Sequence, residues 1–295
     1  MIDPGKYSRA AQVLSLKMSG QVGPRTFELL VARYHTIEEI LLADQEDLEE
    51  LQGIGEKRSK VIAEAYNNLD RAQEVIDNLD ASDTKVVTRL DEDYPQPLQD
   101  IHDPPLMLFY KGRLPTPGVR RVAVIGSQEV SAEGIGDAVE LARILAREGV
   151  AVIGGLARGI DTAGHMGALK EDGVTFAVLP GGFNRIYPAE NEALTGEIIK
   201  KGGLLSEHLP DTPVSAGRMI SRNRLIVGLS DAVVIGEVSP ESVGTLDTAL
   251  CCQQVGKLMF VIIGEFNHHV EKLTEYGAVP LNGVDDNKLI FKALV

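Results

Sequence analysis

Apolar, β-branched runs that stop on glycine recur through the C-terminal two thirds of the chain, and that recurrence leaves few folds open. Val122-Ala123-Val124-Ile125 runs into Gly126-Ser127, Val152-Ile153 into Gly154-Gly155, and Ala177-Val178-Leu179-Pro180 into Gly181-Gly182. Arg222-Asn223-Arg224 and Val243-Gly244-Thr245 follow further on. A parallel sheet uses such turns along its carboxyl edge, where glycine lets backbone N–H groups and helix N-termini approach a phosphate. From Arg121 onward, strands are expected near 121–125, 150–153, 174–179, 203–206, 231–235 and 258–263. Helices are expected between them, near 134–148, 162–171, 190–201, 217–228 and 244–255. That alternation predicts an α/β fold with a Rossmann-like, doubly wound, mainly parallel sheet.

The glycines match neither common nucleotide signature. The next glycines after Gly126 are Gly134 and Gly136, and no G-x-x-x-x-G-K-[ST] occurs, which argues against a dinucleotide enzyme or a P-loop ATPase. No apolar run approaches the ~20 residues of a membrane span, and residues 1–6 carry no signal-peptide core, so a cytoplasmic protein without a membrane partner is expected. Cys251 and Cys252 are neighbours in an apolar helical stretch, the setting of buried, inert thiols. His268 and His269 lack companions at ligand spacing, so neither a metal nor another cofactor is expected. A formal charge of −14 argues against a broad basic surface.

The chain divides into a helical domain at 1–80, a linker with a short packing strand at 81–115, and the sheet domain at 116–295. In the first part, Phe27, Leu30, Val31 and Tyr34 fall on one helix face, and Thr36 with Glu39 reads as a capping box. Gly53-Ile54-Gly55, followed by Lys57 and Arg58, has the form of a helix-hairpin-helix, with a looser copy at Gly20, Gly23 and Arg25. Such a hairpin either offers a secondary phosphate contact through Gly53, Gly55, Lys57 and Arg58 or is a tight helix–helix turn. Acidic side chains outnumber basic ones 21 to 13 up to Pro115, which favours the turn. Prolines at Pro95, Pro97, Pro104 and Pro105 punctuate the linker.

An ordered set of motifs carries a resemblance. Asp93-Tyr94-Pro95, Asp103-Pro104-Pro105, Ile125-Gly126-Ser127, Gly155 to Asp161, Gly181-Gly182, Tyr187-Pro188 with Asn191, Ser206-Glu207 and Arg222 to Ser230 together resemble the DNA-processing protein A (DprA/Smf) family. The resemblance implies a protein that binds and protects single-stranded DNA, forms a homodimer and helps load a RecA-type recombinase during natural transformation, with no catalytic residue. It assigns DNA or phosphate contact to Gly126, Ser127, Gln128, Arg158, Gly159, Gly181, Gly182, Asn191, Arg218, Arg222, Asn223, Arg224, Gly244 and Thr245. Arg218, Arg222 and Arg224 form either a cationic wall or pairs with Glu207 and Glu237.

Three positions depart from the family's pattern. Gln128 stands where an arginine is usual, Ala189 where some members carry a basic residue, and Ser242 where a lysine is frequent. Each lost phosphate contact lowers the single-strand salt slope by about 0.7. Asp161 reads as a helix N-cap with His165 as its hydrogen-bond partner. A second reading, from the Val243-Gly244-Thr245 turn, is a LOG-like site for a nucleotide or ribosyl phosphate, in which Gly126, Gly181, Gly182 and Thr245 cradle one phosphate and Glu241 or Asp247 serves as base or ribose partner. A third is an interaction module that keeps the fold without the ligand. The family often carries a winged-helix C-terminal domain, for which the stretch after Ile263 is too short; that stretch is expected to serve a dimer or recombinase surface.

Overall fold

The computed structural model describes residues 3–294, which divide into two compact units. The first comprises residues up to Tyr94 and His102–Phe109; the second comprises Pro95–Ile101 and the chain from Tyr110 onward. The chain thus passes between units three times within the 81–115 stretch.

The first unit is built from short helices: α1 (Arg9–Met18), α2 (Pro24–Tyr34), α3 (Ile37–Leu42), α4 (Gln45–Glu49), α5 (Glu56–Ala63) and α6 (Leu69–Asp80), with β1 (Lys85–Thr88) following. Thr36 starts α3 as its spacing requires, its Oγ1 accepting from the Glu39 N–H at 3.2 Å. Phe27, Leu30, Tyr34, Ile37, Ile40 and Leu41 enter one apolar core. Both glycine hairpins use the same device. Gly20 and Gly53 take left-handed backbone (φ 73° and 93°), Gly23 and Gly55 cap the next helix, and the intervening Val22 and Ile54 are pressed into the core. Lys57 remains exposed, while the Arg58 Nη1 folds back onto the Gly53 carbonyl at 3.0 Å.

β2 (Met107–Gly112) leads into the second unit, where strands and helices alternate. In chain order these are β3 (Arg121–Ile125), α7 (Ala132–Arg147), β4 (Ala151–Gly154), α8 (Ile160–Lys170), β5 (Thr175–Val178), α9 (Glu192–Lys201) and β6 (Gly203–Ser206). Then come α10 (Ala216–Leu229), β7 (Ala232–Ile235), α11 (Val243–Val255), β8 (Leu258–Ile262), α12 (Val270–Glu275), β9 (Val279–Leu281) and α13 (Asn287–Ala293). The strands from β3 to β9 pair in parallel in the order β6-β5-β4-β3-β7-β8-β9. Every connection between parallel neighbours therefore needs a crossover, and the helices supply it.

Strand alternation sorts the core. Val122, Val124, Val152, Val234 and Phe260 meet Leu141, Leu145, Ile160 and Ala163 of α7 and α8 on one face. Ala123, Ile125, Val233 and Ile235, which point the other way, are buried as well, as a sheet covered on both faces demands. β9 and α13 are absent from the sequence-based expectation, which treats the stretch after Ile263 as a surface. Instead Leu281 and Ile290 enter the core. Cys252 is also buried, and that burial, with Cys251 beside it, pushes its thiol up to about 12. No helix among the described residues is long and apolar enough to cross a membrane.

Candidate functional site

The strand order reverses at β3: the chain runs outward through β4, β5 and β6, then returns to place β7 on the other side. The turns after β3 and β7 consequently diverge, and ligands of such folds bind in the crevice this leaves. A cleft of about 560 Å³ lies there. Gly126, Gln128, Arg222, Asn223, Gly244 and Thr245 line it, so six of the residues singled out from sequence come together. Apolar side chains of Met219, Ile220, Ile226 and Val243 form much of the remaining wall, with Tyr187, Glu129 and Glu241.

Two of the turn glycines direct their N–H groups at a side chain of the chain itself. Asp161 is buried within α8, and its carboxylate accepts the Gly155 N–H at 2.7 Å and those of Ala157 and Gly126. A carboxyl group of the chain itself thus occupies the Gly126 N–H that the resemblance assigns to a ligand. Nor is Asp161 an N-cap, since Gly159 holds that position with φ 72°. Burial raises the Asp161 carboxyl, against the opposing pull of Arg222 and the three N–H groups. The neighbouring glycines admit side chains: a Cβ at Gly155 would lie 2.1 Å from the Arg222 Nη1, and one at Gly154 would lie 2.9 Å from the His165 Nε2. The partner of His165 is Thr175, with Nδ1 and Oγ1 2.7 Å apart, and not Asp161. Burial, and secondarily Arg222, holds the imidazole down to about 3, so it is neutral.

The three arginines do not make a common cationic wall. Arg222 is buried, and its Nη1 donates to the carbonyls of Gly155, at 2.7 Å, and Val178. It ties the ends of β4 and β5 beneath the cleft. Arg224 grips both Glu207 oxygens at 3.0 and 2.6 Å, and Arg218 donates to the Pro213 carbonyl at 2.8 Å. Helical spacing of 218 and 222 is compatible with a shared face, but the sheet claims 222. Arg158 is held by Glu190 through two bonds of 2.5 and 2.9 Å and lies over the Tyr187 ring.

The remaining candidates brace the edge. Ser127 donates its N–H to the Glu237 carbonyl at 3.0 Å and accepts the Ser239 N–H at 2.8 Å, joining the β3 and β7 turns. Gly159 lets α8 begin against that turn, since a Cβ there would sit 2.2 Å from the Ser127 oxygen. Asn191 is buried and donates to the Leu156 carbonyl and the Thr162 hydroxyl at 2.9 and 2.8 Å, fixing a leucine whose φ is +60°. Gly181 and Gly182 pack under the 209–214 segment, where a Cβ at Gly182 would meet the Pro210 oxygen at 2.1 Å. Gly244 and Thr245 open α11, with the Ser242 hydroxyl 2.8 Å from that of Thr245. Gly53, Gly55, Lys57 and Arg58 belong to the first unit. His269 meets the Pro240 carbonyl at 3.0 Å, and no metal-holding cluster of His, Cys, Asp or Glu occurs among the described residues.

Sequence reasoning missed the cleft's apolar wall. Met219 and Ile220 lie between Arg218 and Arg222 on α10, whose apolar residues occupy more than one stripe; that surplus is the signal of a second buried or bound face. Glu190 also passed unremarked beside Asn191, although its charge decides what Arg158 does.

Comparison with known proteins bears on the family and the fold. A family model described as DNA recombination-mediator protein A matches residues 85–287, and a SAM-like helix-hairpin-helix tandem matches 16–66. DNA processing protein DprA of Streptococcus pneumoniae is 32% identical over 86% of this chain and 86% of its own. Its solved structure superposes with a TM-score of 0.82, at 27% identity, over 96% of this chain and 98% of that one. Protein Smf of Borreliella burgdorferi is 34% identical over 68% of this chain, which spans 65% of the Smf length. A solved DNA processing protein A of Helicobacter pylori, described for its single-stranded DNA binding mode, gives a TM-score of 0.63 at 28% identity, over 71% of this chain and 96% of that one. On this breadth of agreement, the chain belongs to the DNA recombination-mediator protein A family.

Proposed function

We propose that this protein binds single-stranded DNA along the carboxyl edge of its parallel sheet and acts by binding alone, as a homodimer that helps place a RecA-type recombinase on the strand during transformation. The observation that carries the reading is the cleft at the β3–β7 reversal, where polar groups of Gln128, Asn223 and Thr245 meet the apolar wall of Met219, Ile220 and Val243. A single strand offers flat bases to apolar surface and phosphates to cations, and a cleft poor in free cations suits the bases better. Membership of the family and the single-stranded DNA described for the Helicobacter pylori relative support the same assignment. Gly126, Gln128, Asn223, Gly244 and Thr245 are assigned to the cleft, and Arg158 and Arg218 to its surroundings. Ser127, Gly159, Gly181, Gly182, Asn191, Arg222 and Arg224 are assigned to holding the edge in shape.

A competing reading, a nucleotide or ribosyl phosphate held by the Ser242–Thr245 hydroxyl pair beside Glu241, draws on those groups at the start of α11. Anisotropy of labelled oligo-dT across a potassium chloride series, run beside a panel of mononucleotides, separates the two. Oligo-dT binding that weakens with salt by about 0.7 log units per phosphate contact for each tenfold in salt is the expected outcome. Tight mononucleotide binding with none for oligo-dT sinks the single-strand assignment.

A further inference from the structure

Carboxylates of the chain itself fill anion positions along the carboxyl edge. Asp161 gathers the Gly126, Gly155 and Ala157 N–H groups; Glu237 takes the N–H and hydroxyl of Ser131 at the start of α7. Glu207 holds Arg224, and Glu190 holds Arg158. These anions differ sharply in access. Asp161 is buried, and the Arg224–Glu207 side chains are only 17% and 15% exposed, whereas those of Arg158 and Glu190 are 47% and 55% exposed.

Exposure decides which partner can be exchanged. A solvated ion pair is worth only about 0.2–1 kcal/mol, so replacing one anion by another of similar geometry meets little resistance. The guanidinium fork accepts two oxygens of a phosphate as it accepts two of a carboxylate. Arg158 is also in the right place: it follows cleft-lining Ala157, and its guanidinium carbon lies 5.9 Å from the ring centre of Tyr187, another lining residue. A base stacked on that ring carries its own phosphate within reach of the fork.

We propose that Glu190 is an internal stand-in for a strand phosphate, filling the Arg158 fork at the cleft rim until a DNA phosphodiester displaces it. The proposal rests on the single-strand reading above. Glu190 thereby sets affinity: the free protein presents a neutral pair in place of a bare cation, and the strand gains one phosphate contact only by releasing the carboxylate into water.

The test is anisotropy of labelled oligo-dT over a potassium chloride series with wild type, Glu190→Gln, Arg158→Ala and the double variant. Glu190→Gln is expected to bind about twofold to fivefold more tightly at low salt, the range set by the worth of an exposed pair. The Arg158→Ala variant is expected to have a salt slope shallower than wild type by about 0.7. In the Arg158→Ala background the Glu190→Gln gain should vanish. A Glu190→Gln protein that binds no better than wild type, or a gain that persists without Arg158, overturns the proposal while leaving the single-strand reading standing. Absence of oligo-dT binding by all four proteins overturns both, and binding by Glu190→Gln alone supports the displacement in its strongest form.

Discussion

Removing Arg222 would leave the buried carbonyls of Gly155 and Val178 without their donor and Asp161 without a compensating charge. Both groups are buried, and each is shifted by burial toward its neutral form while the other's charge opposes that shift. Leaving buried hydrogen-bonding groups unsatisfied costs about 1–3 kcal/mol. Arg222→Met is therefore expected to lower unfolding stability by that order in urea titrations, and adding Asp161→Asn should recover part of the loss. Additive losses would mean that the two charges are independent. A substitution at Gly155 would meet the same guanidinium, which explains why a glycine stands there better than a phosphate-approach argument does. The residue scale was also where the sequence misled most. The types of Arg158, Arg222 and Arg224 were legible, but which carboxylate faces each depends on loops brought together from distant segments.

At the scale of elements, α8 packs beside β4 and β5 with His165 as its polar contact to the sheet. In the unfolded chain this ring titrates near 6.5, and in the fold it is held down to about 3 by burial and then Arg222. The depressed value means that its stabilising contribution is whole above pH 6.5 and drains away as pH falls toward 3, by on the order of 5 kcal/mol. Asp161 acts in the opposite sense: its raised carboxyl favours the folded form as acid protonates it. Comparison with His165→Gln separates the two, and wild type should lose stability more steeply than this variant between pH 6.5 and 3. Parallel curves would show that the ring ionises in place.

Elements themselves were largely readable. Runs such as Val122 to Ile125 and Val233 to Ile235 are apolar on both faces because helices cover both, and such runs cannot be mistaken for exposed strands. β9 escaped because Val279-Pro280-Leu281 is three residues long and contains a proline, which only an edge strand tolerates. The cleft's position follows from strand order, and nothing local in the sequence states that β7 returns to the side of β3.

For the whole molecule, a net charge of −14 opposes any polyanion at long range, so attraction has to be local. Gln128, at the cleft where an arginine is usual in the family, is the position at which one charge should matter most. Gln128→Arg is expected to steepen the oligo-dT salt slope by about 0.7 and to tighten binding most at low salt. An unchanged slope would place the strand's phosphates away from this turn.

The β3–β7 pairing joins Val122 to Ala232 and Val124 to Val234. On a ribosome, where the chain emerges from its N-terminus, β3, β4 and β5 can collapse together early, but β3 must wait for its second neighbour until more than a hundred further residues have been translated. The cleft is therefore among the last features a nascent chain acquires. A ribosome stalled before β7 would display a partly paired sheet with its binding edge unformed, a moment when β3 is open to other strands.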